Sequence, residues 1–475
     1  MQRNILEYLE TANEEFPDRT VYQDQADYLI VSEVISIAMR IGSSITRKVP
    51  ERKPIVVIAG KNLETPVIYL GVVYAGCYYV PVSPELPDLR IKMMLDFIQP
   101  ALIVTDDDNY QNIVEKGYPY SVVSYQEAKS TGIDEVELSA RRQNQLDTDP
   151  LYVIFTSGSS GVPKGVVTAH RSVIDYIDTF ADTFGISSDD ILGNQAPLDY
   201  IAAIRDIYLP LRTGAKTVLI PKTLFSTPKA LFAYVNEHKV TVICWVASVL
   251  SLCNELGVFQ EITLETVKKV FFTGSVLACK HLRAWQENLP GAMFVNHYGP
   301  TEITASCSYY IVDHIVADDE VLPIGLAFEN SDVFLLNEQS AEPTLGEIGE
   351  ICVRGTGLAL GYLKNQIKTE EAFILNPLNT DYPERIYKTG DLGSIGSDGM
   401  MRFHGRRDYQ IKHMGHRIEL GEIENAAIAL KKVQRCCCLY HQDKEMIWLF
   451  FTGQTNSKEI AVHLRQLLPG YMVPR

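Results

Sequence analysis

Positive charge is in short supply in this chain. Its 475 residues carry 43 Lys plus Arg against 59 Asp plus Glu, a formal net charge of −16. That balance argues against nucleic acid or an anionic membrane as partner, while leaving room for a local basic pocket. A long apolar run is also missing. The most apolar segment, Pro66 to Val82, is interrupted by Gly71, Gly76 and Pro81 and holds four tyrosines, which makes a poor membrane span but a good buried helix and strand. The opening Met1-Gln2-Arg3-Asn4-Ile5-Leu6-Glu7 lacks the apolar stretch of a secretory signal. None of the nine cysteines has metal-ligand spacing. Consecutive Cys436-Cys437-Cys438 would point to alternate faces of a strand, so they read as small apolar residues in a reducing compartment, not zinc ligands or disulfides. Tandem repeats and low-complexity linkers are absent too. A cytoplasmic, non-membrane protein long enough for two or three folding units is therefore the expectation.

What is present is an alternation of strands and helices. Helix periodicity marks Ile5–Phe16, Val31–Ile45, Glu64–Ala75, Asp88–Phe97, Arg171–Thr183, Pro228–Asn236 and Cys279–Gln286. Between them lie short β-branched runs at Pro54–Gly60, Tyr78–Val82, Leu102–Asp106, Lys216–Ile220, Val240–Cys244, Val270–Ser275 and Met293–Asn296. Strands and helices at this spacing imply α/β architecture, a large N-terminal core of stacked sheets covered by helices. Beyond residue 330 the texture changes to short strands between glycine turns, more like a small barrel. From Gly405 to Arg475 it changes again, to an α+β lobe. Residues 1–407 are therefore expected to form the core and 408–475 a C-terminal lobe hinged near Asp408.

The organising stretch is Tyr152-Val153-Ile154-Phe155-Thr156-Ser157-Gly158-Ser159-Ser160-Gly161-Val162-Pro163-Lys164-Gly165. A buried strand breaks into a loop of hydroxyls and glycines ahead of a lysine, which can aim backbone N–H groups, hydroxyls and one positive charge at phosphate. Taken alone, it reads equally well as a solvated Gly/Ser loop, and it is not a Walker A loop, since no Ser or Thr follows Lys164. Three more clusters fall at strand ends. Asn296-His297-Tyr298-Gly299-Pro300-Thr301-Glu302 offers an aromatic face and a hydroxyl–carboxylate pair suited to Mg²⁺. Tyr387-Lys388-Thr389-Gly390-Asp391 offers a carboxylate able to grip ribose hydroxyls. Gly405-Arg406-Arg407-Asp408-Tyr409-Gln410-Ile411-Lys412 offers cations.

In this order the clusters resemble those of the adenylate-forming enzymes, and most closely the adenylation domains of nonribosomal peptide synthetases. Tyr74–Val82, Gly349–Gly355 with Gly361-Tyr362, and His413–Glu424 match further signatures of that family, so the resemblance covers nearly the whole chain. It implies ATP-dependent activation of a small carboxylic acid as acyl-adenylate, with release of pyrophosphate. Transfer of the acyl group to the phosphopantetheine thiol of a carrier protein follows, with Mg²⁺ as cofactor and a small activator protein of the MbtH-like kind as a further partner. By resemblance, Thr156, Ser157, Gly158, Ser159, Ser160, Gly161 and Lys164 hold the departing phosphates. Gly274, Tyr298, Gly299, Thr301, Asp391 and Arg406 bind the nucleotide, Tyr298 by stacking and Asp391 at the ribose. Glu302 ligates Mg²⁺, and Thr156, Lys164, Glu302 and Lys412 take part in catalysis. Asp408 is the hinge, and the Gly415 turn faces the thiol channel in the second half-reaction. Two rivals are an acyl- or aryl-CoA synthetase and a non-catalytic nucleotide-binding module.

Two departures from the family pattern stand out. The family's adenylating lysine lies beyond the stretch matched by Leu468–Pro474, so the native chain is expected to continue past Arg475, and the chain as given to adenylate poorly. The family register also places the acid-binding pocket on Ile201, Ala202, Arg205, Cys244, Phe271, Thr273, His297, Ala305 and Ser306. Amino-acid-activating relatives hold the substrate ammonium with an Asp where this chain has Ile201, and a buried unpaired ammonium is costly. The expected substrate thus lacks a conventional α-ammonium (aryl, 2-hydroxy, 2-keto or β-amino acid) or brings an extra acidic or hydrogen-bonding group to Arg205 and His297. A two-residue slip would instead give Asp199 the ammonium role.

Overall fold

Strands rich in Val and Ile, buried on both faces, build the centre of the molecule. In the computed structural model, which describes residues 2–158, 163–441 and 444–474, they collect into two large sheets. One has nine strands, in the order Leu326–Ala327, Ser308–Val312, Met293–Tyr298, Lys269–Thr273, Val242–Val246, Ile191–Asn194, Lys216–Leu219, Thr20–Gln23 and Tyr28–Ile30. The other has seven, in the order Gly361–Tyr362, Lys164–Ala169, Pro150–Thr156, Tyr78–Val82, Pro54–Ile58, Leu102–Thr105 and Val122–Ser124. Their middle strands run parallel, as buried strands joined by helical crossovers must.

One apolar cluster joins the two sheets through the helices Val31–Thr46, Glu64–Tyr74, His170–Phe184 and Ala203–Thr213. The Glu64–Tyr74 helix is buried on every side, so its apolar residues show no amphipathic stripe. It lies against Val31–Thr46 so closely that a Cβ on Gly71 would come within 2.5 Å of Ile41 Cγ2. His170–Phe184 buries Val173, Ile177, Phe180, Ala181 and Phe184 at helical spacing and ends on Gly185, whose φ of 56° supplies the left-handed C-terminal cap. No helix among the described residues is long and apolar enough to cross a membrane.

The barrel-like part is a five-stranded antiparallel sheet built from Ser331–Leu336, Gly349–Gly355, Arg385–Ile395, Phe373–Leu375 and Met401–Arg406. Its long strand Arg385–Ile395 pairs with three neighbours, which brings Asp391 opposite Arg406. Among its described residues the C-terminal part holds two antiparallel strand pairs and two α-helices, with an apolar cluster of its own around Ile418, Ile423, Cys438, Ile447, Ile460 and Leu464. Of the three consecutive cysteines, Cys438 points into that cluster and Cys437 is exposed, as alternation on a strand requires. Helix Ser457–Leu467 of this lobe packs on helix Asp88–Ile98 of the core.

Candidate functional site

Strand ends from both large sheets open toward the first hairpin of the C-terminal lobe. That hairpin pairs Gln410–His413 with His416–Glu419 across Met414 and Gly415. Both turn residues have positive φ, 50° and 81°, as a two-residue turn matched to strand twist requires. Its tip enters the core. Tyr200 Oη donates to the Gly415 carbonyl at 2.9 Å, and a side chain on Gly415 would strike Val246 Cγ1 at 2.5 Å. The ring of His416 stacks on Tyr471 with centroids 3.7 Å apart.

The space left under the tip is a narrow, partly open cleft. Ile201, Ala202, Arg205, Thr273, Gly274, Gly299, Thr301, Ala305, Ser306, Asp391, Arg406 and Lys412 line it, so it gathers many of the residues singled out from the sequence, together with Arg417. Gly299 has to be glycine here, because a Cβ would lie 2.5 Å from the Ala305 carbonyl oxygen and 2.5 Å from Ser306 Cα. Thr304 and Ala305 opposite hold positive φ, 57° and 72°, a strained turn of the kind that clusters at ligand sites. Asp199, the alternative ammonium partner, does not line the cleft, and burial lifts its pKa to about 6.

At one side of the cleft Asp391 is tied on both oxygens. It accepts from Tyr298 Oη at 2.5 Å and from Arg406. Arg406 also donates to both oxygens of Asp408, at 2.7 and 2.8 Å, so one guanidinium clamps both the carboxylate facing the cleft and that of Asp408. Lys412 Nζ sits 5.4 Å from the centre of the Tyr298 ring and covers one face of it. Burial lowers the Lys412 pKa, with Asp391 opposing. In this pose, then, Tyr298 stands behind Lys412 rather than in the cleft lining.

Arg417 links the cleft to the Ser/Gly loop. Its Nη1 donates to Glu302 Oε2 at 2.7 Å, while Tyr362 Oη donates to Oε1 at 2.8 Å. Burial alone would raise the pKa of Glu302, but Arg417 and Tyr362 overcome it and hold the carboxyl below its usual range. The loop itself opens from a hairpin in which Thr156 faces Lys164. Ser157 Oγ donates to the Arg417 carbonyl at 2.7 Å and accepts from Glu419 N–H at 3.2 Å. Gly158 N–H donates to Glu422 Oε2 at 3.1 Å, and Lys164 Nζ donates to Glu419 Oε1 at 3.1 Å. Arg90 Nη1 secures the other Glu422 oxygen at 2.7 Å. The loop thus presents donors to anions, and here the anions are two carboxylates of the lobe. Ser159, Ser160 and Gly161 lie outside the described residues.

Glu302 suits a cation shared with a phosphate, since Mg²⁺ commonly takes one or two carboxylates and fills its shell with phosphate and water. No cluster of three or more metal-ligating side chains exists among the described residues, and both Glu302 oxygens are engaged. A metal would fit here only with Arg417 withdrawn.

Behind the cleft, Cys244, Phe271 and His297 form a second layer rather than the lining. His297 is 4% exposed, lies nearly parallel to Phe180 and Phe328 at 5.5 and 5.7 Å, and has both ring nitrogens unbonded. Burial, with the charge of Arg205, pushes its pKa well down, so the ring is neutral. Arg205 is 2% exposed. It donates weakly to Tyr176 Oη at 3.3 Å and to the Ala202 carbonyl at 3.2 Å, and its Nε has no hydrogen bond. Arg417, Glu419, Glu422 and Arg90 were not among the expected site residues. The first three stand inside the matched run His413–Glu424, where their charge was the available signal. Arg90 had no signal in the sequence.

The sequence model of the AMP-binding enzymes matches residues 9–363. Zwittermicin A synthase ZmaJ from Bacillus cereus is 31% identical over 433 residues, covering 88% of this chain and 80% of that protein. Tyrocidine synthase 1 from Brevibacillus parabrevis is 28% identical over 99% of this chain, which spans only 43% of that longer protein. Among solved structures, NpsA-ThdA, an artificially fused Adenylation-PCP di-domain NRPS from Klebsiella oxytoca, superposes over the whole chain with a TM-score of 0.87 at 21% identity and shares its fold. The chain belongs to the AMP-binding, adenylate-forming enzymes. Within that family it is an AMP-forming ligase of the peptide-synthetase adenylation-domain kind.

Proposed function

We propose that the acid this ligase adenylates in the cleft lacks a conventional α-ammonium, and that the acyl group then passes to the phosphopantetheine thiol of a carrier protein. One observation carries the first part. Among the described residues Asp391 is the only carboxylate lining the cleft, and both its oxygens already serve Tyr298 and Arg406. With Ile201 on the wall, an ammonium would meet no free counter-charge, at a cost of several kcal/mol. The fused Adenylation-PCP architecture of the Klebsiella oxytoca structure and the match of His413–Glu424 support a carrier acceptor.

In this reading residues 408–475 swing about Asp408, and the present pose, with Gly415 in the cleft, belongs to the thiol half-reaction. ATP binding needs the other pose, in which Lys412 uncovers Tyr298 for adenine, Arg417 releases Glu302 for Mg²⁺, and Lys164 turns to phosphate. Transfer at phosphorus needs positioning and charge neutralisation more than acid or base, and Lys164, Thr156 and Arg406 are suited to that work. An MbtH-like activator is a further candidate partner.

Substrate-dependent pyrophosphate exchange, run on the full native protein with acids paired by presence or absence of an α-amino group, tests the proposal. Acids without the amino group should dominate, and dominance of ordinary α-amino acids would refute it. Coenzyme A and a phosphopantetheinyl carrier compared as acceptors then decide the second step, with preference for free coenzyme A defeating the carrier reading.

A further inference from the structure

The deep end of the cleft is built around a guanidinium with too little to hold. Arg205 lines the cleft and is 2% exposed. Its nearest carboxylate, the equally buried Asp206, forms an ion pair with it at 3.6 Å between Nε and Oδ1, too long for a hydrogen bond. The other Asp206 oxygen accepts from Asn194 Nδ2 at 2.7 Å, and Asp206 does not reach the cleft. The two bonds Arg205 does make are long, at 3.2 and 3.3 Å. A buried guanidinium with long bonds and an Nε that has no hydrogen bond is costly unless something completes it. The neighbouring polar lining residues, Thr273 and Ser306, carry hydroxyls and no charge. Beyond Arg205 the space is closed: Phe180 lies under the guanidinium at 5.4 Å, and neutral His297 packs between Phe180 and Phe328.

The geometry points to an acid with a second anionic group, a dicarboxylic acid in its simplest form, whose distal carboxylate completes Arg205 at the closed end of the cleft. This rests on the reading that the acid is adenylated in this cleft. It also narrows that reading: His297, walled off by its aromatic neighbours, confines the pocket without binding substrate. A guanidinium matches a carboxylate with two parallel N–H donors, and a site that leaves such a donor unfilled rejects the analogue lacking the acceptor.

The test compares succinate, glutarate and phthalate with butyrate, valerate and benzoate, by pyrophosphate exchange and by direct calorimetric binding, on the native protein and on Arg205→Met and Arg205→Lys. Dicarboxylates should exceed their monocarboxylate partners by about a hundredfold or more. Arg205→Met should erase the preference and Arg205→Lys should keep part of it. If Arg205→Met does not fold, the panel on the native protein decides. Equal use of both classes overturns the inference and leaves acid activation standing. Arg205-dependent binding of dicarboxylates without exchange for any acid upholds the inference and refutes activation. No binding and no exchange refutes both.

Discussion

Replacing Arg90 with alanine measures how firmly the C-terminal lobe is held. The Arg90 side chain is 9% exposed and that of Glu422 1%, with Nη1 2.7 Å from Oε1. Without the guanidinium, Glu422 would keep a buried charge and only the Gly158 amide. Removing one partner of such a pair costs about 3–5 kcal/mol. The lobe can limit that loss by coming away and rehydrating the carboxylate, so the cost should appear as undocking rather than global unfolding. Small-angle scattering would then show an expanded particle, and urea titration followed at Trp448 would show the lobe melting first. A double-mutant cycle with Glu422→Gln isolates the pair and should give a coupling of 1–3 kcal/mol, about the upper range for residues in contact. That coupling should survive high salt, because a pair this buried is weakly screened. Burial raises the Glu422 pKa and Arg90 opposes it, so Arg90→Ala should push it higher still. The penalty belongs to the ionised form, and the deficit of the variant should shrink as pH falls through that raised pKa. A coupling under about 0.5 kcal/mol, within ordinary additivity error, or a deficit that grows with acid, would refute this account of the docking.

Two further predictions concern the core. Gly299→Ala should abolish pyrophosphate exchange and lower the melting temperature, since the new Cβ meets backbone at 2.5 Å on two sides; a variant that keeps its exchange rate would show that the strained 304–305 turn yields. Lys61 donates to the Asn194 and Gln195 carbonyls at 3.0 Å each, and burial lowers its pKa to about 7 against Asp206. Between pH 7 and 10 the unfolded chain holds a proton at Lys61 that the folded chain does not, so stability from this residue rises with pH. At about 1.4 kcal/mol per pH unit the rise amounts to about 4 kcal/mol. Lys61→Met should therefore lose ground to the native protein by that order from pH 7 to 10 in denaturant unfolding, and parallel pH curves would refute it.

Where periodicity is local, the sequence was legible. Val31–Thr46 and Asp88–Ile98 fall within a residue of their expected ends because one apolar face repeats along each. The helices Asp107–Glu115 and Glu135–Asn144 escaped notice, since each buries only one or two residues and leaves little apolar pattern. The full extent of the strand Arg385–Ile395 was not legible, and Tyr387–Asp391 reads only as a cluster at a strand end, because Gly390 and Gly393 interrupt the alternation. In the site, ordered motifs identified the cleft, but the contacts that fix its present pose join residues 255, 264 and 332 positions apart. Nothing local encodes such pairings. The second-layer place of His297 was hidden for the same reason, since its neighbours Phe180, Phe271 and Phe328 come from three distant elements.

The carboxylates of Glu419 and Glu422, set against Lys164 and Gly158, have a thermodynamic corollary. If that loop takes triphosphate as proposed, lobe and nucleotide are competitors for one set of donors, and every kcal/mol that seats the lobe is subtracted from the apparent affinity for ATP. The measured dissociation constant is the intrinsic one divided by the fraction of molecules with the loop uncovered. Loosening the lobe at Arg90, which reaches the loop only through Glu422, would then tighten ATP binding, and saturating ATP would in turn lift the lobe by the same free energy.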